Sequence, residues 1–542
     1  MFKNHPRGLP VLFFTEMWER FGYYLILGIL VLYMIDSERN GLGFGVTKAN
    51  DIYGWFIALV YLTPFAGGII ADRYLGYRKS IILGGLLMAA GYLGLGIFPG
   101  VLAFYASLGL VVLGNGFFKP NISSIVGRLY SEGSPLKDSG YNIFYMGINV
   151  GAFICNFVAA ILRNRYGWGY AFAAAGIGML IGVIVFASGR SRFAETSDRG
   201  AGGQVEPGVL RRLTLEALLP AVVAGLVGVL LARTLGFGGF FTPANTGFVF
   251  AVIPIVGYYL MLWLRAPHAE KGPIGALLAI FAVVIVFWMI FHQNGNTLTL
   301  WAEEKTNRDA GVAAGLLRGL HMHQEPTDDY WANVAPQDRP TSGATTTLIS
   351  PELFQSVNPF FIVVLTPVVV GFFSMMRRRK REPSTPAKIG WGLVLTALST
   401  MVMVGAVRVS QGGEVRVSPL WLIATYGIIS VGELCLSPMG LSLVSKLAPQ
   451  RVTALMMGGW FLATSLGNKL AGVVGGLWEQ VDSLETIFWI NGISALGAAA
   501  LIFMMVPWIR RVLAAHETQT RSRLAAEAAA EAKPEPVGAR AS

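Results

Sequence analysis

Glu16, Glu19 and Arg20 stand within one helical turn of each other in a run that is otherwise apolar, and Tyr23 and Tyr24 follow directly. Carboxylates take up and release protons. A guanidinium is a fixed cation that grips carboxylates, and phenols donate and accept hydrogen bonds. The spacing i, i+3, i+4, i+7 and i+8 puts all five side chains on one stripe of a helix. The run, from about residue 10 to residue 35, is long enough to cross a bilayer. Ions facing lipid there cost several kcal/mol, so the stripe must face a protein interior or a wet cavity. Two acids, one base and two phenols so placed can take up protons and hold a charged solute.

Few other ionic groups lie inside apolar runs. They are Lys119, Glu433 and Lys469, with His292 and Gln293 as polar companions. At about 1.5 Å per residue, Arg20 and Lys119 lie roughly 15 Å and 13 Å from the same face of their spans, and Glu433 lies about 20 Å from either end of its own. The three can therefore converge near the midplane. A rival reading is that they pair only to hold helices together, but buried ion pairs stabilise weakly and intramembrane charges usually mark a pathway. Lys469 lies toward the end of its span, off the stripe of Trp460, Thr464 and Asn468, and reads as a snorkelling base. His292 reads as a hydrogen-bonded pore residue, with a proton relay as the alternative. Tyr61 and Trp460, taken singly, read as packing residues. A second signal is the 67–79 stretch. Gly67 and Gly68 let helices approach closely, while Asp72, Arg73, Arg78 and Lys79 sit where ion pairs can form or break as helices rock. A topogenic role for those bases is the alternative.

The elements that must hold these groups are membrane helices. Of 542 residues, 54% are hydrophobic and 13% charged, with mean hydropathy +0.56; soluble chains carry about 25% charged residues. The class is an all-α polytopic membrane protein. Fourteen spans are expected, near about 10–35, 52–71, 80–99, 101–127, 140–162, 169–189, 212–232, 245–264, 274–302, 352–376, 388–407, 418–445, 452–476 and 485–513. The net charge of +11 comes from bases in short loops, which excludes nucleic acid as a partner and points to the lipid bilayer. Cys155 and Cys435 both lie within spans, so no disulfide framework or metal-type cysteine spacing is expected. His321-Met322-His323 lies in a loop and is not read as a metal site. No phosphate loop or nucleophile–base pair occurs, so an enzyme is not expected and the energy should come from an ion gradient.

Alternate loops, beginning with the N-terminus, are rich in base: Lys3 and Arg7, then Arg73, Arg78 and Lys79, then Arg190 to Arg212, then the block from Arg377 to Arg381, and Arg510 and Arg511 at the end. By the positive-inside rule both termini are cytoplasmic, with Arg163 and Arg165 as a local exception. Spans seven and eight carry almost no ionisable residues and read as a hairpin inserted between two six-span halves. The expected organisation is a first six-helix bundle over 1–190, a linker with the hairpin over 191–272, a second bundle over 273–513 with a long, partly ordered outer loop at 303–351, and a cytoplasmic tail of frayed helix or disorder over 514–542.

These residues carry a family resemblance across about 8–510. The chain resembles bacterial proton-dependent oligopeptide transporters, a branch of the major facilitator superfamily. The pattern Glu-x-x-Glu-Arg-Phe-x-Tyr-Tyr at Glu16 to Tyr24 is specific to that family. The stretches at 144–151, 432–438 and 67–79 resemble its fifth-helix, tenth-core-helix and loop signatures, and the two spans at 212–264 its inserted pair. The resemblance implies a major facilitator fold and a proton-coupled symporter that imports di- and tripeptides by alternating access across the bacterial inner membrane. Protons would serve as coupling ion, with no other cofactor, and a monomer would suffice. Physics alone supports a carrier for a zwitterion driven by a pH gradient. A carrier of another small organic solute, or a nutrient sensor on the same fold, remains the alternative.

The resemblance also implies roles. Glu16, Glu19 and Arg20 would couple protonation to conformational change. Arg20 and Lys119 would hold the substrate carboxylate. Glu433, with Asn149 and Asn358, would hold the amino end. Tyr23, Tyr24, Tyr61, Ser437 and Trp460 would line side-chain pockets, with Gln293 as a further substrate contact and Asp72, Arg73 and Lys79 as gate. The family often has an arginine after the two tyrosines; here Leu25, Ile26 and Leu27 stand there. An outer ion pair through span one is therefore missing. Closure should rely on apolar packing or other helices, and the outer cavity should favour apolar side chains.

Overall fold

A computed structural model describes residues 2–130, 136–193, 211, 214–236, 241–326, 330–331, 333–334, 346–449 and 452–531. Its fourteen long helices are α1 (Leu9–Ile35), α2 (Val46–Ile70), α3 (Tyr77–Ile97), α4 (Val101–Arg128), α5 (Lys137–Tyr166), α6 (Trp168–Ser188), α7 (Leu219–Thr234), α8 (Pro243–Leu264), α9 (His268–Phe291), α10 (Val357–Arg378), α11 (Thr385–Val409), α12 (Leu420–Leu447), α13 (Thr453–Gly475) and α14 (Glu485–Glu531). Twelve helical stretches among the described residues are long and apolar enough to cross a membrane. The other two long helices are α2 and α13. They lie against each other, so Asn50, Thr464, Ser465, Asn468 and Lys469 are buried in protein rather than lipid.

The first bundle packs α1 on α5 and α6, α3 on α4 and α6, and α2 on α4. The second packs α11 on α12 and α14, α9 on α13 and α14, and α10 on α12. Helices α7 and α8 pair mainly with each other and form the inserted hairpin. The glycines of the 67–79 stretch act as expected at one position. A Cβ on Gly67 would collide with the backbone of Gly116, so α2 and α4 touch backbone to backbone.

Three sequence expectations are corrected. The ninth span is not one helix: α9 ends at Phe291, His292–Gly295 forms a 3-10 turn, and a short helix, Thr297–Glu304, follows. The break falls on a polar run of weak helix formers, and the Asn296 side chain caps the new start by accepting from the Thr297 N–H at 2.7 Å. The tail does not fray at 514. Helix α14 continues to Glu531 through an Ala- and Glu-rich segment of high helix propensity. Lys469 does not snorkel. It is fully buried, ion-paired to Asp51 of α2, and donates to Asn245 Oδ1 of α8 at 3.1 Å.

The loop at 303–351 is ordered over its described part. It holds a short helix, Ala314–Gly319, and a two-stranded antiparallel ribbon, β1 (His323–Gln324) against β2 (Leu348–Ile349). Buried Arg308 pins it, with an ion pair to Glu303 at 3.0 Å and a bond to the Ile349 carbonyl at 2.9 Å. The linker at 194–207 and the end of the tail at 532–542 lie outside the described residues.

The described part of the 303–351 loop lies on one face of the helix bundle, called the far face below. The two bundles meet toward that far face. There α2 packs along α13, with Gly54 on Gly472, and α5 packs on α10. Asn156 donates to Ser356 Oγ at 3.2 Å, and Arg163 pairs with Glu352 at 3.3 Å. Arg163, an exception to the charge pattern, is thus one side of a buried cross-bundle ion pair.

Candidate functional site

The α1 stripe points into the protein, as its charge requires. Glu16, Glu19 and Arg20 are each 3% exposed or less. The Arg20 guanidinium grips Glu19 with both arms: Nη2 donates to Oε1 at 2.6 Å, and Nε to Oε2. Its Nε also lies 3.5 Å from Glu16 Oε1, while Glu16 Oε2 has no hydrogen-bond partner. One turn on, Arg20 sits over the Tyr23 ring at 4.8 Å, and Tyr23 itself is buried with its hydroxyl unpartnered. One base therefore serves two acids, and one carboxylate oxygen is left without a donor.

Lys119 of α4 approaches the same cluster. Its ammonium lies 4.0 Å from the centre of the Tyr61 ring and within electrostatic reach of Glu16, Glu19 and Arg20. It makes no ion pair among the described residues. Tyr61 of α2 in turn meets His292 and Trp288 of the other bundle, with ring centres 5.9 Å and 6.4 Å away. This run of contacts links the first-bundle cations to the break in the ninth span.

Glu433 of α12 faces them from the second bundle. Asn358 of α10 donates to it at 3.4 Å and to Ser430 at 2.8 Å. No base pairs with Glu433 among the described residues. Tyr24 and Tyr145 lie within its electrostatic reach, and Asn149 donates to the Tyr145 carbonyl at 3.1 Å. A small pocket between the bundles, of about 40 Å³, is lined by Tyr24, Leu27, Tyr53, His292, Asn294 and Asn358, with Leu27 beside Phe291 and Pro359.

Of the remaining sequence-read residues, Ser437 is half-buried with its hydroxyl unpartnered, and Trp460 is buried flat against Gly440. Gln293 is engaged within the protein. It is 3% exposed, donates to the Met289 and Ala471 carbonyls, and accepts from Thr297. Its amide is spent closing the seam between α9 and α13, while His292 lines the cavity. The side chains of Asp72 and Arg73 lie outside the described residues, and Lys79 is exposed. Sequence reasoning missed Tyr145 and Tyr53. Tyr145 stands one turn before Asn149, a helical spacing that could have flagged it. Tyr53 donates to the His292 carbonyl at 3.4 Å, and nothing local announces a contact across 239 positions.

Comparisons with known proteins agree on one family. A family model described as PTR2, POT family, matches residues 78–229 and 337–490. The chain is 32% identical over 516 residues to an uncharacterized transporter, YclF, of Bacillus subtilis, covering 94% of this chain and 96% of the relative. It is 31% identical to a di-/tripeptide transporter of Lactococcus lactis subsp. lactis, over 93% and 96% of the two chains. A crystal structure of a peptide transporter POT in complex with sulfate superposes with a TM-score of 0.76 at 32% identity, covering 94% of this chain and 96% of that one.

Proposed function

The chain belongs to the POT family, and on that premise we propose that it is a proton-coupled symporter that imports di- and tripeptides by alternating access. One observation carries the reading: Lys119 and Glu433, opposite charges from opposite bundles, each lack an ionic partner among the described residues. A zwitterion with its carboxylate toward Lys119 and Arg20 and its ammonium toward Glu433 supplies the missing counter-ions at both ends. Asn149 and Asn358 position the ammonium end, and Tyr23, Tyr24, Tyr61, Ser437 and Trp460 shape the space between.

Coupling follows from competition for one guanidinium. Arg20 pairs with Glu19 or with the substrate carboxylate. A proton on Glu19 removes the internal competitor and releases Arg20 to the substrate. Bidentate grips of this kind are specific in geometry, so the exchange is close to all-or-none. Protons are the coupling ion; Asp72, Arg73 and Lys79 act in the gate on the face of the termini. The bundles span 1–190 and 273–513 as units, joined by the 191–272 linker and hairpin, with 514–542 as a tail.

The decisive experiment is counterflow in proteoliposomes with a dipeptide library, with and without an inward proton gradient. We expect exchange of dipeptides without the gradient and accumulation with it. Ala-Phe should compete better than Ala-Glu or Ala-Lys, because Leu27, Phe291 and Pro359 line the small pocket beside Tyr24. Equal competition by all three would remove Leu27 from selectivity. Binding without any exchange would identify a sensor instead.

On this reading the protein works in the bacterial inner membrane with both termini in the cytoplasm. Cysteines introduced near each terminus and at fully exposed Val312 should label from opposite sides of the membrane. Labelling of all three from one side would refute this orientation.

A further inference from the structure

Beside the described part of the 303–351 loop lies a second chamber, of about 430 Å³, walled by Arg163 and Trp168 on the first bundle and by Glu303, Arg308 and Arg416 on the second. Its floor is apolar, formed by Leu32, Ile35 and Leu348. The bonding of Arg163 is incomplete. The residue is 6% exposed; Nε donates to Asn164 at 3.3 Å, and the guanidinium lies 4.9 Å from the Trp168 ring. Nη1 lies 3.3 Å from Glu352 Oε2, yet both Glu352 oxygens and Arg163 Nη2 lack any hydrogen-bond partner. A planar guanidinium is suited to two parallel bonds to a carboxylate, and here it makes a single loose contact. Arg308 Nε and Glu303 Oε2 are likewise buried without partners. Each unmade bond of a buried polar atom costs about 1–3 kcal/mol.

We propose that this chamber is a capture site for a small zwitterion of dipeptide size, whose carboxylate takes the open fork of Arg163 and whose ammonium end faces Glu303 and its acidic neighbours Glu304 and Glu325. The size fits, since pockets for small molecules run from about 300 to 1,000 Å³. Binding has a conformational consequence, because a carboxylate on Arg163 replaces Glu352, and with it the ion pair between α5 and the Pro351–Ser356 turn that leads into α10. The ligand's arrival thus loosens the far-face contact of the two bundles before it reaches Lys119 and Glu433. The choice of a dipeptide as ligand rests on the transport reading above; the chamber's chemistry does not.

The test uses the full chain in proteoliposomes with Asn333→Cys, on the chamber wall, alkylated from the far face; the native Cys155 and Cys435 are buried. Saturating Ala-Ala should slow alkylation about tenfold, and its amide should not, as befits the loss of one charge-assisted bond. Arg163→Lys keeps the charge and loses the fork, so it should abolish protection, and Glu303→Gln should weaken it. Should Arg163→Lys fail to fold, the Glu303→Gln result and the amide comparison decide alone. Unchanged alkylation in Ala-Ala while uptake proceeds would overturn the capture site and leave the transport reading standing. Protection without uptake would do the reverse. Equal protection by Ala-Ala, its amide and acetate would overturn recognition of a zwitterion.

Discussion

Glu19→Gln is expected to abolish proton-driven accumulation while sparing exchange of substrate across the membrane. Glu19 is fully buried and receives both arms of Arg20. Glutamine keeps the shape and a carbonyl acceptor, so the helix stripe stays intact. It has no ionised state, so Arg20 no longer has a full competitor for the substrate carboxylate. A gradient of one pH unit supplies about 1.4 kcal/mol per proton, or about tenfold in accumulation ratio. The variant should therefore lose about tenfold in steady-state accumulation for each pH unit and coupled proton, with counterflow retained. Proteoliposome uptake at several external pH values measures it. Wild-type accumulation in the variant would show that Glu19 is dispensable for coupling. Glu16 is the natural control, because it makes only the 3.5 Å contact to Arg20 and has one oxygen without a donor.

The second large effect is a split in ligand preference. Truncating a buried charge that pairs with a ligand costs about 2 kcal/mol or more, a loss on the order of thirtyfold. Lys119→Ala should impose that loss on peptides with a free carboxylate and spare amidated ones. Glu433→Ala should impose it on peptides with a free amino group and spare N-acetylated ones. In each case the spared ligand already lacks the charge that the deleted side chain would meet. Competition against a labelled dipeptide reads all combinations. Similar losses for every ligand in both variants would leave the two residues as structural cations and anions with no hold on the substrate ends.

What the sequence revealed and what it hid divide along contact distance. The Glu16, Glu19, Arg20 stripe was legible because helical periodicity and the expense of charge in lipid act locally. The fourteen helices and the inserted hairpin were legible for the same reason. Lys469 misled because snorkelling is the default for a lone base near a span end, and its partner, Asp51, lies 418 positions away. Gln293 shows that polar character inside a span marks either a cavity or a helix seam, and packing puts its amide at the seam with α13. The ion pair of Arg163 with Glu352 answers a question that the missing arginine near Leu27 had posed. The bundles do close through other helices, α5 with α10 and α2 with α13, but no local pattern names the residues that do it. The break at His292–Gly295 had a local signal in its run of weak helix formers, and the greater length of an uninterrupted span concealed it.

The contact of Gly54 with Gly472 bears on what this protein does when it has nothing to carry. A methyl group on Gly54 would come within 2.8 Å of the Gly472 Cα, so the seal there is main chain against main chain. Protons cross proteins along files of hydrogen-bonded water, and such a file needs a continuous column wide enough for single molecules. Two helices in direct backbone contact leave no bore for one. With this seam closed, no such file of water passes between α2 and α13 at Gly54. Alanine at either position wedges the seam apart, and the expected phenotype is an uncoupled proton current in empty vesicles rather than a change in substrate affinity.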